Sequence, residues 1–429
     1  MMNRLMFVLL LFVSAAPACN NASTENEKSA DASVVDAAVK TRITSTLQSF
    51  IDSGKTAAVS ALIFEKGKEV YYGAFGYADR EAKTPMDRNT IVRIFSMTKP
   101  ITGVALMTLY DKGAFQLDDP LSKYAPEFSD MKVFTGVDAT GNPILEPAKR
   151  PITIRDITRH TAGFAGGGNS VLGNMVRKAD IMNRNNSLSE MAKRLASLPL
   201  AFHPGDQWAY GVSVDVQAYL VEKLSGKPFD QYLQETIFDP LKMTHTGYYV
   251  PESERKHFAA VYNRSNEGIL TRMPDSSANL LNTQRWTLKQ GGLGLTSTID
   301  DYMKFAQMLV HYGQLGKVRI LKPETVKLMS TNHLSDTISR RMWLPDRGQV
   351  GFGIDFAVRT APPKTKQENN GVVGEFFWDG AMSTLFWVDP VNDLTAVLFT
   401  QLLPYDKVKL HNSFRDAVYG EYEPDTANK

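Results

Sequence analysis

The run Arg93-Ile94-Phe95-Ser96-Met97-Thr98-Lys99-Pro100, followed directly by Ile101-Thr102-Gly103-Val104-Ala105-Leu106-Met107-Thr108-Leu109-Tyr110, constrains the fold more than any other stretch. Apolar residues at 101, 104, 105, 106 and 109 recur at helical spacing, and Lys112-Gly113 ends the run as a C-terminal cap does. Pro100 does not break this helix, because the first amides of a helix have no intrahelical acceptor to lose. Ser96 therefore sits at the mouth of a largely buried helix, and Lys99 follows one turn later on the same face. A hydroxyl and an amine held together in a partly apolar site have the chemistry of a nucleophile and its proton acceptor. The four-residue pattern alone fits equally an exposed helix start beside a solvated lysine, so the assignment depends on what accompanies it.

The chain has 429 residues, enough for two or three average domains or one large domain with an elaborated half. Hydrophobic residues make up 43% and charged residues 22%, which supplies ample core for a globular protein. With 48 Lys+Arg against 46 Asp+Glu there is no basic face to attract nucleic acid, and no nucleic-acid partner is expected. The one cysteine, Cys19, excludes an internal disulfide, so the fold rests on packing.

Residues 1–18 carry Arg4, an apolar stretch from Leu5 to Val13, and the ending Ala16-Pro17-Ala18. A charged start, an apolar middle and an A-x-A ending predict a secretory signal peptide. The apolar run is shorter than the roughly 20 residues a bilayer demands, which argues against a membrane-spanning helix. Cys19 directly after the small residues resembles a degenerate bacterial lipoprotein signal, with Pro17 where a small or aliphatic residue is commoner. Lipidation at Cys19, with attachment to a membrane, is therefore expected ahead of simple secretion into the periplasm. Residues 19–33 then form a polar tether.

The folded part, 34–429, is expected to start with a helix through Val39, Ile43, Leu47 and Ile51. Residues 57–65 and 69–76 read as two strands joined at Lys66-Gly67-Lys68. From Gly113 to Pro151 the Pro/Gly-rich sequence reads as loop with short helical pieces, and 152–163 as an extended start passing into a short helix. Gly166-Gly167-Gly168-Asn169 reads as a mobile loop. Helices are predicted over 188–198, 215–224, 229–237, 299–311, 323–329 and 407–419, and strands over 353–359, 371–377, 383–389 and 394–402. Strands at both ends around a mainly helical middle, about 115–285, predict an α/β (α+β) half built from both chain ends with an inserted helical half.

Four stretches together resemble the serine β-lactamase and penicillin-binding superfamily, in the class C-like branch that includes family VIII carboxylesterases. These are Ser96-Met97-Thr98-Lys99; the segment 152–163, ending His160-Thr161-Ala162-Gly163; Pro204-Gly205-Asp206-Gln207-Trp208-Ala209-Tyr210; and Phe377-Trp378-Asp379-Gly380-Ala381. The resemblance runs from about Val34 to the C-terminus and implies a β-lactamase-like fold. It implies Ser96 as nucleophile, Lys99 as its proton partner, and Tyr210 as the second base or acid. It further implies an oxyanion hole formed by the backbone N–H groups of Ser96 and Ala381. Acyl transfer needs these parts: an activated hydroxyl, a proton shuttle and two donors aimed at the developing oxyanion.

Two departures bear on substrate. The segment Tyr210-Gly211-Val212 replaces Y-x-N, so Val212 offers no side-chain hydrogen bond to a substrate amide. Trp378 replaces the lysine of the third motif, removing a cation that would hold a substrate carboxylate. Asp379 beside it is expected to disfavour an anionic substrate. With Gly380, these residues are expected to line the substrate pocket, and Trp208, Phe376 and Phe377 are candidates for an apolar acyl wall. An ester needs less help for its leaving group than an amide, so the simplified site suits ester hydrolysis.

Other chemistries find no support in the sequence. There is no G-x-S-x-G elbow, no H-E-x-x-H or close His/Cys grouping, and no G-x-x-x-x-G-K-[ST] loop. His160 reads as a packing or hydrogen-bonding residue. No metal or cofactor is expected. The expected function is that of an exported serine hydrolase, a carboxylesterase acting on small or medium acyl esters through an acyl-enzyme at Ser96. The alternatives are a β-lactamase, D-amino-acid amidase or peptidase, or transacylase with the same intermediate. A further alternative from another class is a non-turnover lipoprotein that senses a cell-wall ligand.

Overall fold

The apolar spacing at Val39, Ile43 and Leu47 forms helix α1 (Ala37–Asp52), whose first turn is capped by Asp36 accepting from the Val39 amide at 2.8 Å. The structure is a computed structural model that describes residues 33–423; the leader over 1–18, Cys19 and the tether up to residue 32 lie outside the described residues. Strands β1 (Ala58–Glu65) and β2 (Lys68–Asp79) follow as the expected hairpin, and a two-residue β3 (Thr84–Pro85) extends it.

Helix α2 (Thr98–Asp111) is buried on every side from Thr98 to Leu109, as an all-round apolar helix must be. It packs against α6 (Ser213–Ser225) in the middle of the chain. Between them come α3 (Ile154–Thr158), α4 (Val171–Ala179) and α5 (Leu188–Ala196). After α6 come α7 (Phe229–Leu233), α8 (Ile299–Val310) and α9 (Pro323–Met329), and then β4 (Val350–Phe352), β5 (Ala357–Arg359), β6 (Phe376–Asp379), β7 (Leu385–Asp389) and β8 (Leu394–Phe399). Helix α10 (Leu410–Tyr419) is the last element among the described residues.

The sheet runs β4-β5-β6-β7-β8-β1-β2-β3, with every pairing antiparallel. Both chain ends thus contribute to one sheet, joined where Ser60 of β1 pairs with Phe399 of β8. Alternation along β7 divides its two faces. Phe386 meets Tyr302 of α8 at 5.0 Å on one face, and Trp387 meets Phe414 of α10 at 5.2 Å on the other. In β6, Trp378 pairs with Phe386 and so faces the α8 side, whereas Phe377 pairs with Trp387 and faces α10. This β-lactamase-like arrangement, with helices flanking a large antiparallel sheet, is the expected fold.

Several elements differ from the sequence reading. Residues 132–147 form a two-stranded ribbon, Lys132–Val137 with Pro143–Pro147, where loop with short helical pieces was expected. The second strand is exposed throughout, so no burial pattern marked it. Helix α4 was not anticipated. The single strand expected over 353–359 is instead the turn and second arm of the β4–β5 hairpin, with Asp355 in the left-handed region (φ 59°) at its tip. Strand β6 begins at Phe376, five residues later than expected.

Candidate active site

Ser96 lies in a single 3-10 turn, Phe95–Met97, that passes without a break into α2. Phe95 takes φ 42°, a conformation that costs a bulky L-residue of order 1–3 kcal/mol and persists only where neighbours hold it. Here the Ile94 amide donates to Leu295 O at 3.1 Å, and the Tyr302 hydroxyl donates to Met97 O at 2.9 Å. The result leaves Ser96 half-buried at the cleft while Met97, Thr98 and Lys99 are buried behind it.

Lys99 Nζ donates to Ser96 Oγ at 3.2 Å and to Gly292 O at 2.6 Å, and it lies 4.5 Å from the centre of the Tyr210 ring. The Gly292 amide in turn donates to Asp215 Oδ1 at 3.1 Å. A Cβ at 292 would sit 3.1 Å from Asp215 Oδ2 and 3.4 Å from Lys99 Nζ, so glycine keeps this corner open. Burial pushes the Asp215 carboxyl up, against the opposing pull of the Gly292 amide and the Lys99 charge.

Tyr210 comes from the loop that leads into α6 and stands in an aromatic box. Its ring lies 4.8 Å from His160, 5.1 Å from Trp343 and 5.4 Å from Trp378. The Trp378 indole donates to the Tyr210 hydroxyl at 3.2 Å. His160 is wholly buried, with Nδ1 accepting from the Gly211 amide at 3.4 Å. Burial first, and the Lys99 charge second, push its imidazole well below the ordinary histidine range. A neutral ring there supports the tyrosine from behind.

Ser96, Tyr210, Trp378, Asp379 and Ala381 share a cleft of about 550 Å³. The Ala381 amide, just past the end of β6, has no hydrogen-bond acceptor among the described residues. Two expected pocket residues lie elsewhere. Gly380 is buried beneath the cleft, where a Cβ would overlap Thr384 Oγ1 and the Ile94 carbonyl oxygen, so it sets a close approach between the strand end and the turn that carries Ser96. Val212 faces a neighbouring apolar recess on the other flank of Tyr210. Nor do the aromatics of β6 and the Tyr210 loop form a common wall. Trp208, Phe376 and Phe377 pack into the core, with Phe377 under the Arg415 guanidinium, and only Trp378 reaches the cleft.

The expectation that Asp379 presents a negative charge is also corrected. Arg347 Nη1 lies 2.5 Å from Asp379 Oδ2, with both side chains mostly buried, and Tyr405 donates to the same carboxylate oxygen at 2.7 Å. The pair is neutral as a unit. Trp343, Arg347 and Tyr405 were not legible as site residues, since each reaches the cleft from a distant loop with no local pattern to mark it.

A family model described as Beta-lactamase matches residues 43–420. An uncharacterised protein of Mycobacterium tuberculosis is 34% identical over 358 residues, covering 82% of this chain and 88% of its own length. The esterase EstB of Burkholderia gladioli is 29% identical over 384 residues, covering 84% of this chain and 90% of its own. Among solved structures, EstCE1, described as a hydrolase with promiscuous acyltransferase activity, matches with a TM-score of 0.72 at 25% identity, covering 90% of this chain and 100% of that one. The chain therefore belongs to the beta-lactamase family and is a serine hydrolase with the β-lactamase-like fold.

Proposed function

We propose that this chain is a carboxylesterase that forms an acyl-enzyme at Ser96. The observation that carries the reading is the contact of Lys99 Nζ with Ser96 Oγ at 3.2 Å, beneath the ring of Tyr210 and beside a cleft that Ala381 also lines. Ser96 Oγ attacks the ester carbonyl and its proton passes into the Lys99–Tyr210 pair. The oxyanion is held by the Ser96 and Ala381 N–H groups, each such donor being worth about 10²–10³ in rate. Tyr210 returns the proton to the departing alcohol oxygen, and water repeats the sequence on the acyl-enzyme.

The substrate side favours esters over lactams. Val212 has no amide to read an acylamino group, and the cation nearest the third motif, Arg347, is already paired with Asp379. The similarity to the esterase EstB, which spans 90% of that protein's length, also supports an ester substrate. Export with lipidation at Cys19 is proposed on the sequence of residues 1–19 alone; an unmodified Cys19 in membrane-extracted protein would contradict it.

The test is a panel of nitrophenyl esters and nitrocefin, run on the native chain and on Ser96→Ala. Ester turnover is expected to fall about 10⁴-fold or more in the variant, with nitrocefin turnover far slower than ester turnover in the native chain. Ester hydrolysis that survives Ser96→Ala, or nitrocefin turnover rivalling that of the esters, rejects the reading. A burst of labelling without steady turnover would favour the sensor alternative.

A further inference from the structure

We propose that the cleft is divided by Tyr210 into two limbs with separate tasks: an apolar recess that takes the acyl chain, and a wide polar limb that takes the alcohol. The inference rests on the esterase reading and adds the class of substrate, an aliphatic acyl ester of a polar alcohol.

Tyr210 lines both the 550 Å³ cleft and a second cavity of about 460 Å³. The walls of the second are apolar, with Phe164, Ala165, Val176, Ile181, Met182 and Val212. Its ionised residues, Arg177 and Asp180, are exposed at the outer edge, and the Arg177 guanidinium is engaged by Gly168 O and Asn174 Oδ1. The wide limb has aromatic walls at Trp343, Trp378 and Tyr405, but unlike the recess it also carries Asp346, Gln367, Asn369, Asp406, Lys409 and Asn412. Hydrocarbon belongs in the first and hydroxyls or charges in the second.

The direction of the ester follows from the tyrosine. Trp378, whose indole N–H holds the Tyr210 hydroxyl, lines the wide limb and not the recess. The proton-donating end of Tyr210 thus addresses the wide limb, and the leaving alcohol oxygen has to sit there to receive the proton. The acyl chain then has the opposite flank of the ring available to it. Val212, at the start of α6, contributes a hydrocarbon surface where an amide side chain would have made that flank polar.

The experiment compares kcat/KM for nitrophenyl acetate and nitrophenyl octanoate in the native chain, Val176→Phe, Val212→Asn and Asn412→Ala. The octanoate/acetate ratio on one preparation cancels any loss of folded protein. In the native chain kcat/KM should rise about fourfold per methylene over the first few carbons. The ratio should fall at least tenfold in Val176→Phe and in Val212→Asn, and stay within about twofold in Asn412→Ala. Asn412→Ala should instead change the preference between glyceryl and butyl esters of the same acid. A flat length profile in the native chain overturns the inference, as does a ratio that follows Asn412 and ignores Val176 and Val212. A native chain that hydrolyses no ester of any length overturns the esterase reading, and this inference with it.

Discussion

The indole N–H of Trp378 points at the phenol oxygen of Tyr210 from 3.2 Å, so the aromatic that replaces the lysine of the third motif is a hydrogen-bond donor to the proposed proton shuttle. The replacement removes a cation and supplies a group that fixes the direction of the phenol. A neutral hydrogen bond of this kind contributes about 0.5–1.5 kcal/mol. Trp378→Phe should therefore lower kcat on a short ester by up to about tenfold, whereas Tyr210→Phe should lower it by about 10²–10⁴. Once Tyr210 is Phe, adding Trp378→Phe should cost little more. Steady-state kinetics on the two single variants and the double variant decide this; independent, multiplicative losses would contradict it.

Arg347 and Asp379 form an ion pair whose side chains are 14% and 7% exposed. Removing one partner of such a pair strands the other, at a cost of about 3–5 kcal/mol. Arg347→Met should lower the melting temperature more than the double variant Arg347→Met with Asp379→Asn. Thermal unfolding of both proteins is the check, and a double variant less stable than the single one would refute the coupling.

Asp156 anchors the start of α3 and the loop around Arg150. Burial pushes its carboxyl up, but hydrogen bonds from Arg150 Nη1 (2.5 Å), the Thr153 amide (3.0 Å) and Thr161 Oγ1 (2.8 Å) outweigh that and bring it below the usual aspartate range. The unfolded chain binds this proton more readily than the folded one. The associated stability is therefore complete above the ordinary aspartate value of 3.8 and is lost as pH falls through the lower folded value. Asp156→Asn should be less stable than the native chain at pH 7, with the gap closing below about pH 4. Denaturant melts across that range measure it, and a gap constant with pH would exclude the carboxylate as its source.

Gly380→Ala should impair both stability and rate. The added methyl meets Thr384 Oγ1 and Ile94 O, and the backbone carbonyl of Ile94 cannot retreat without moving the turn that carries Ser96. Overpacking of this kind costs about 1–3 kcal/mol, and it displaces the Ala381 amide from its place in the proposed oxyanion hole. We expect kcat/KM for a short ester to drop at least about tenfold with the fold retained; unchanged kinetics would mean that the close approach has no bearing on the site.

Local patterns carried the sequence reading as far as they reached. The spacing at 39, 43 and 47, the apolar run from Ile101 and the hairpin at Lys66-Gly67-Lys68 each specify an element within a few residues, and each is present. The exposed ribbon at 132–147 buries too little to leave a pattern, and the β4–β5 turn at Asp355 interrupts what looks in sequence like one continuous strand. Within the site, the motif residues Ser96, Lys99, Tyr210 and Trp378 were legible because their spacing is local or matches a family pattern. The charge state around Asp379 was not, because its partner Arg347 lies 32 positions away and is brought there by the fold alone. Val212 lines the recess beside Tyr210 and not the cleft that Ser96 lines, since sequence does not tell which side of the Tyr210 ring a neighbour takes.

The central claim is a covalent bond at one oxygen atom. Intact-protein and peptide mass spectrometry after brief mixing with a fluorophosphonate probe, or with a slowly hydrolysed ester, tests it most directly. One adduct per chain, mapped to the peptide carrying Ser96 and absent from Ser96→Ala, is the predicted result. An adduct on another residue, or ester turnover with no adduct at Ser96, would contradict the account.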